Sequence, residues 1–224
     1  MIAFHITLLW VLAVFELLLM LYILRRYQRT GSIYALCGLL FGFVVIAVFV
    51  GIQLLTSDDT SRLLFGKLAY YGGCISFVSN LMLAIEYPIP SAVTSKWKTL
   101  LTVAPLAFFL PYILFAPDFL RRIDLSGAAL HVVPGTTFWL FTFFVVMYSI
   151  TASVLLLRKR RRVFGTQKTQ VTLYMTLFML TAAAVLLDTF FLPLNGIRTN
   201  GVLSAQLNAI PVTLIAFIVL LKPR

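Results

Sequence analysis

Ile33–Leu55, IYALCGLLFGFVVIAVFVGIQLL, runs for 23 residues without one charged side chain. A helix rises about 1.5 Å per residue, so about 20 mostly apolar residues cross a bilayer core about 30 Å thick. The stretch is read as a transmembrane helix, because a helix satisfies its own backbone groups where no water is at hand. Thr30-Gly31-Ser32 breaks the chain before it, and Gly38 and Gly42 form a GxxxG, a packing signal common in such helices. Six further stretches of the same kind flank it: Ile2–Leu24, Leu64–Tyr87, Leu100–Ala116, Thr137–Leu157, Val171–Leu194 and Val202–Leu221. Arg25-Arg26, Pro88 with Pro90, Pro117, Pro134-Gly135 and Asn195-Gly196 mark their ends. Pro105 and Pro111 predict a kink in the fourth span, and Pro211 a bend in the seventh. The first run is too long for a signal-peptide core and lacks a small-residue cleavage site. The expected fold class is an all-α membrane protein, a bundle of seven transmembrane helices in a single domain over residues 1–224.

Composition agrees. The chain is 61% hydrophobic and 11% charged, with a mean hydropathy of +1.01; ordinary soluble domains hold about 45–50% apolar and about 25% charged residues. The net charge of +11 does not point to nucleic acid, since the basic residues form no continuous patch with stacking aromatics. They are placed instead as topology signals that meet anionic lipid heads. Thirteen of the 18 Lys and Arg residues fall at one set of span ends: Arg25, Arg26, Arg29, Lys96, Lys98, Arg158 to Arg162, Lys168, Lys222 and Arg224. The opposite set holds Arg62, Lys67, Arg121, Arg122 and Arg198, together with Asp58, Asp59, Asp118 and Asp124. The positive-inside rule puts the first set in the cytoplasm, which predicts the N-terminus outside and the C-terminus inside. Cys37 and Cys74 lie in apolar runs and are read as packing residues. Pro117–Thr136, the longest external segment, is expected to hold an interfacial helix or lid, with Phe119, Leu120, Ile123, Leu125 and Leu130 on the membrane surface. No internal repeat is evident, which weakens an inverted-repeat transporter reading.

Acids within a membrane are costly and are functional candidates by default. Glu16, Glu86 and Asp188 are the three here. Glu86 lies at the cytoplasmic end of span three, where a salt bridge with Lys96 or Lys98 is the plainer role. Tyr174, Thr181 and Asp188 recur every seven residues and so share one face of span six. Span three carries a matching small-and-polar stripe of Gly66, Tyr70, Gly73, Asn80 and Ala84. Lys67 flanks it at the depth of Asp188, and an ion pair between Lys67 and Asp188 is expected. Gln53, Gln206 and Asn208 lie at similar depth. With Tyr70 they outline a polar ligand pocket facing outward; the competing reading is that they only join helices.

Catalysis finds little support. His5 and His131 belong to no metal-ligand cluster, and no GxSxG, Walker or glycine-rich nucleotide motif occurs. A retinal Schiff base would need a lysine deep in the last helix, whereas Lys222 stands at the membrane boundary. No cofactor, metal or enzymatic activity is expected.

Two stretches carry a family resemblance. Arg62–Tyr87 reads RLLFGKLAYYGGCISFVSNLMLAIEY, and FWLFTFFVVMYSITASVLLLRKRRRVFGTQKTQVTLYMTLFML begins at Phe138 and leads toward Asp188. An aromatic-rich third span that begins near a basic residue, and a basic, Gln-containing link between spans five and six, resemble the N-terminal seven-transmembrane sensor region of bacterial histidine kinases. Lys67-Leu68-Ala69-Tyr70 and Arg158–Gln170 stand at the matching places, with Phe65 where a tryptophan is usual and Leu83 where an aromatic is common. The resemblance implies a sensory input module in the bacterial cytoplasmic membrane. It also implies a cytoplasmic kinase-type output domain or a separate kinase as partner, a small-molecule or lipid ligand, and compatibility with a homodimer. The chain stops three residues after span seven, so either an excised sensor domain or a free-standing member is expected. The rival reading is a small transporter or channel lined by Glu16 and Asp188; a ligand-free scaffold subunit is a third.

Overall fold

The computed structural model describes residues 2–28, 30–88, 96–126, 129–188 and 201–220. Their regular structure is seven helices and one two-stranded hairpin: α1 (Ile2–Arg26), α2 (Gly31–Leu55), α3 (Asp59–Glu86), α4 (Lys96–Phe115), β1 (Leu120–Ser126), β2 (Ala129–Pro134), α5 (Phe138–Arg160), α6 (Gly165–Leu186) and α7 (Gly201–Leu220). Among the described residues, α1, α2, α3, α5 and α6 are long and apolar enough to cross a membrane, and Thr99–Phe115 and Ala205–Leu220 are shorter apolar helices. The expected ends of spans six and seven near Leu194 and Leu221, and Arg29, Arg198, Lys222 and Arg224, lie outside the described residues.

Caps explain where several helices begin. Thr30 accepts from the Ile33 N–H at 3.4 Å to open α2, and Asp58 accepts from Ser61 N–H at 2.7 Å to open α3. The third helix therefore starts at Asp59 rather than at the expected Leu64, taking Arg62 into its first turns. Between α5 and α6 only Arg161–Phe164 intervene, so the basic segment expected as a loop is mostly helical. Gly165 has φ +57° at this junction, a conformation glycine adopts without steric cost.

Helices α2 and α3 pack most extensively, and glycines set their distance. A Cβ on Gly72 would meet the Gly42 carbonyl oxygen and stand 2.8 Å from the Ile46 backbone nitrogen; one on Gly42 would lie 2.6 Å from the Gly72 carbonyl oxygen. Small residues let the two backbones touch, and this approach replaces the hydrophobic drive that lipid does not provide. Beyond this pair, α3 contacts α5, α5 contacts α6, α6 contacts α7, and α7 returns to α2. Five helices thus form a ring. The first helix packs outside it on α2 and α7, and α4 outside it on α3. Accordingly α1 buries a stripe, Leu9, Ala13, Glu16 and Ile23, and exposes Phe4, Val11, Val14 and Leu18.

The segment expected to be an interfacial helix or lid is an antiparallel hairpin. Ile123 pairs with Val132 and Asp124 with His131, with an irregularity between Leu120 and Arg122. Two strands bury Leu120 and Ile123 against α3 while Arg121 and Arg122 stay exposed. An amphipathic helix would have laid the same apolar residues on lipid; β-branched Val132 and Val133 favour the strand.

Candidate functional site

The hairpin and the basic α5–α6 turn mark the two ends of the bundle. Inside the five-helix ring lies a cavity of about 190 Å³. Each wall is a helical stripe: Leu39, Phe43, Ile46, Val50 and Gln53 on α2; Gly66, Tyr70, Gly73, Phe77 and Asn80 on α3; Thr181 and Asp188 at the end of α6; Asn208 and Val212 on α7. Val132 of the hairpin and Phe141 of α5 complete the enclosure. Gly66 and Asn80 are fourteen residues apart, so the cavity extends about 21 Å along the helix axis.

Its polar groups are unevenly distributed. Gln53, Tyr70, Asp188 and Asn208 stand toward the hairpin end. The buried Gln53 amide donates to the Arg62 carbonyl at 3.3 Å. A Cβ on Gly66 would lie 2.7 Å from Gln53 Nε2 and 2.5 Å from Ile123 Cδ1, so glycine there admits both the amide and the hairpin. The Tyr70 ring is met edge-on by Phe119, Phe138 and Phe141, with centroids 5.5, 5.2 and 5.7 Å away. Tyr70 and Asp188 line the same cavity.

Toward the basic end the cavity has a hydrogen-bonded floor. Tyr174 is fully buried, and its hydroxyl donates to Asn80, with the carbonyl at 3.1 Å and Oδ1 at 3.3 Å. The Tyr87 ring stands edge-on to it at 6.2 Å. The Tyr87 hydroxyl in turn reaches Gln170 Oε1 at 3.1 Å and the Ile218 carbonyl at 3.4 Å, joining α3, α6 and α7. Lys159 Nζ donates to the carbonyls of Ile85 at 2.6 Å and Tyr87 at 2.8 Å, capping the end of α3.

The candidates from the sequence divide. The seven-residue face of α6 points inward, with Thr181 and Asp188 on the cavity and Tyr174 in its floor. Tyr70, Gln53, Asp188 and Asn208 come together there. Lys67 does not join them: its Nζ donates to the Leu114 carbonyl at 3.1 Å and the Ala116 carbonyl at 2.9 Å, at the end of α4. The expected Lys67–Asp188 ion pair is therefore replaced by a helix cap, since the negative end of a helix attracts an ammonium as a carboxylate does. Gln206 also turns away, to α1, where its side chain lies 3.2 Å and 3.3 Å from His5 Nδ1 and its amide donates to the His5 carbonyl. Glu16 lies outside the ring, accepting from Thr213 Oγ1 at 2.5 Å, fully buried between α1 and α7. Glu86 is buried beside Gly31; the side chains of Lys96 and Lys98, its expected partners, lie outside the described residues.

Two features escaped the sequence reading. The first is the aromatic wall, whose signal is the helical spacing of Phe138, Phe141, Phe144 and Tyr148 facing Phe109 and Tyr112 of α4. The second is a polar clamp beneath the hairpin. Asp118 accepts from the Thr136 N–H at 2.7 Å and from its hydroxyl, and pairs with Arg121 at 3.1 Å. The Arg121 and Thr136 hydrogen bonds hold the Asp118 carboxyl well below the usual carboxylate range.

Residues 8–221 match the family model of the N-terminal 7TM region of histidine kinase. No curated protein matches the chain. The match takes in every helix of the ring and both helices packed outside it, so this multi-pass membrane chain belongs to the family of N-terminal seven-transmembrane regions of histidine kinases.

Proposed function

We propose that the chain is a sensory module that admits a small, largely apolar ligand to the five-helix cavity from the hairpin end. In this reading the hairpin faces outside and the basic end faces the cytoplasm of a bacterial cell, as the loop charges predict. The observation that carries the proposal is the cavity's asymmetry: ligand-type polar groups at one end and a cross-linked tyrosine floor at the other. A sensor needs an entrance and a floor, whereas a channel needs two mouths. The volume of about 190 Å³ is under the roughly 300–1,000 Å³ of ordinary ligand pockets. The ligand is then a small molecule, or the apolar tail of a larger one, with a donor group for Asp188 or Gln53. It acts on output only as far as it binds one helix arrangement better than another. The receiver is a cytoplasmic kinase-type domain or a separate kinase.

Thiol accessibility tests the reading. In a Cys37→Ala/Cys74→Ala background, Asn208→Cys places a single thiol near the entrance, and Ser76→Cys one deeper on the α3 wall, where Ser76 also lines the cavity. An impermeant maleimide applied from the outside should label Asn208→Cys, and from the cytoplasmic side it should label neither. Labelling of Ser76→Cys from the cytoplasmic side would overturn the sensor in favour of a transporter or channel.

A further inference from the structure

The lipid-facing side of α1 carries a feature that the cavity does not use. Leu18, Leu21, Tyr22, Arg25 and Arg26 line a groove of about 380 Å³ on the surface. All five are exposed, turned away from the buried stripe through Ala13, Glu16 and Ile23. Their spacing of three and four residues stacks the apolar groups in the span directly beneath the arginine pair at its end. Among the described residues neither guanidinium has a carboxylate partner. The basic turn at the same end differs. There Lys159 donates to the carbonyls of α3, Arg160 Nε donates to Thr172 Oγ1 at 2.9 Å, and Arg161 and Arg162 stand exposed in the turn that follows α5.

We propose that this groove is a binding site for one anionic phospholipid, its acyl chain along Leu18 and Leu21 and its phosphate on Arg25 and Arg26. The chemistry fits on both counts. Two adjacent guanidiniums at a membrane boundary offer forked donors matched to phosphate oxygens, and the leucines below them sit at the depth of the chain that the same molecule carries. Tyr22 stands between the two parts, where an amphipathic ring favours the headgroup region. Free phosphate shares the headgroup chemistry but has nothing for the leucines, so the site commits to lipid. It stands independently of what the cavity binds.

The test is lipid retention. The chain is reconstituted with equimolar phosphatidylglycerol and phosphatidylcholine, extracted, and its bound lipid read by native mass spectrometry. Wild type should retain phosphatidylglycerol in preference, and Arg25→Gln/Arg26→Gln should retain it roughly ten- to thirty-fold less well, the weight of two basic residues near a membrane surface. Arg161→Gln/Arg162→Gln should match wild type, and Leu18→Ala/Leu21→Ala should weaken retention several-fold. All of these positions are exposed, and thermal unfolding checks that each variant is folded. Equal losses from the two arginine pairs would reduce the site to diffuse surface charge and overturn it. Full displacement of the lipid by inorganic phosphate, or indifference to the leucines, would equally overturn it by removing the acyl part.

Discussion

Lys67 and Lys159 do the same job at opposite ends of α3, yet the regions around them are built differently. Each ammonium caps a helix end through two carbonyls, Lys67 on α4 and Lys159 on α3 itself. Around Lys159, side-chain hydrogen bonds from Tyr87 and Tyr174 tie α3, α6 and α7 together. Around Lys67, the neighbours are aromatic rings, a hairpin and the polar groups of the cavity, and the caps fix α4 and the hairpin to the rim rather than closing the ring. The bonds at the basic end cross between helices of the ring, whereas those of Lys67 and Asp118 at the hairpin end run to α4 and to the hairpin's own base; on the proposed reading the first end is a stiff floor and the second a deformable mouth. Under the proposed sensory function that difference matters, because binding must have an arrangement to select.

The largest expected effect comes from the seam shared by both ends. Gly72→Val drives a side chain into the Gly42 carbonyl and the Ile46 backbone, neither of which can swing aside. Overpacking against backbone should cost about 3 kcal/mol and lower thermal unfolding in detergent sharply. Its neighbour provides the contrast: a Cβ on Gly73 meets nothing within 4 Å, so Gly73→Ala should be neutral or up to about 1 kcal/mol stabilising, narrowing the cavity alone. If both variants melt alike, the α2–α3 contact does not set the bundle.

Breaking the floor comes next. Tyr174→Phe removes the only donor that the structure gives to Asn80 Oδ1 among the described residues. A buried acceptor left without its donor costs roughly 1–3 kcal/mol. Hydrogen exchange should then speed up at the basic end, near Tyr87 and Gln170, and stay unchanged in the hairpin. Exchange rising equally at both ends would erase the distinction between floor and mouth.

The two caps are the milder comparison. Lys159→Met and Lys67→Met each remove a cation from a helix end, worth about 0.3–2 kcal/mol. The first should loosen the floor and the second the rim, visible as separate exchange patterns around Tyr87 and around Ala116. Here the sequence was half legible. The stripe of Gly66, Tyr70, Gly73 and Asn80 and the face of Thr181 and Asp188 could be read, because a helix that must bury polar groups in lipid repeats them at three and four residues. The partner of Lys67 could not. Sequence gives the depth of a cation in a bundle, but a carboxylate and a helix end at that depth attract it alike, and only the packing of α4 beside α3 decides. The helix alternative for the hairpin segment fails for a related reason: Leu120, Ile123, Leu125 and Leu130 suit a surface helix as well as strands, and the irregularity between Leu120 and Arg122 hides the alternation.

The smallest effect concerns the clamp that pins the hairpin to the mouth. Asp118 binds Arg121 and both the N–H and hydroxyl of Thr136, and these bonds hold its carboxyl well below the ordinary value of 3.8. A carboxyl depressed by folding contributes stability that is fully present above its unfolded pKa and is lost as pH falls through the folded one. The clamp should therefore be indifferent to pH above about 4 and weaken progressively below it. Exchange at the Thr136 amide, corrected for the intrinsic rate, should rise across that acid range in wild type. Asp118→Asn should show faster exchange already at neutral pH and little further change on acidification, since the amide cannot be protonated there. A wild-type amide that stays protected down to pH 2 alongside a well-protected Asp118→Asn variant would mean that β1 and β2 hold the hairpin without the carboxylate. The mouth would then be nearly as rigid as the floor, and the contrast between the two lysine-capped ends would lose its functional meaning.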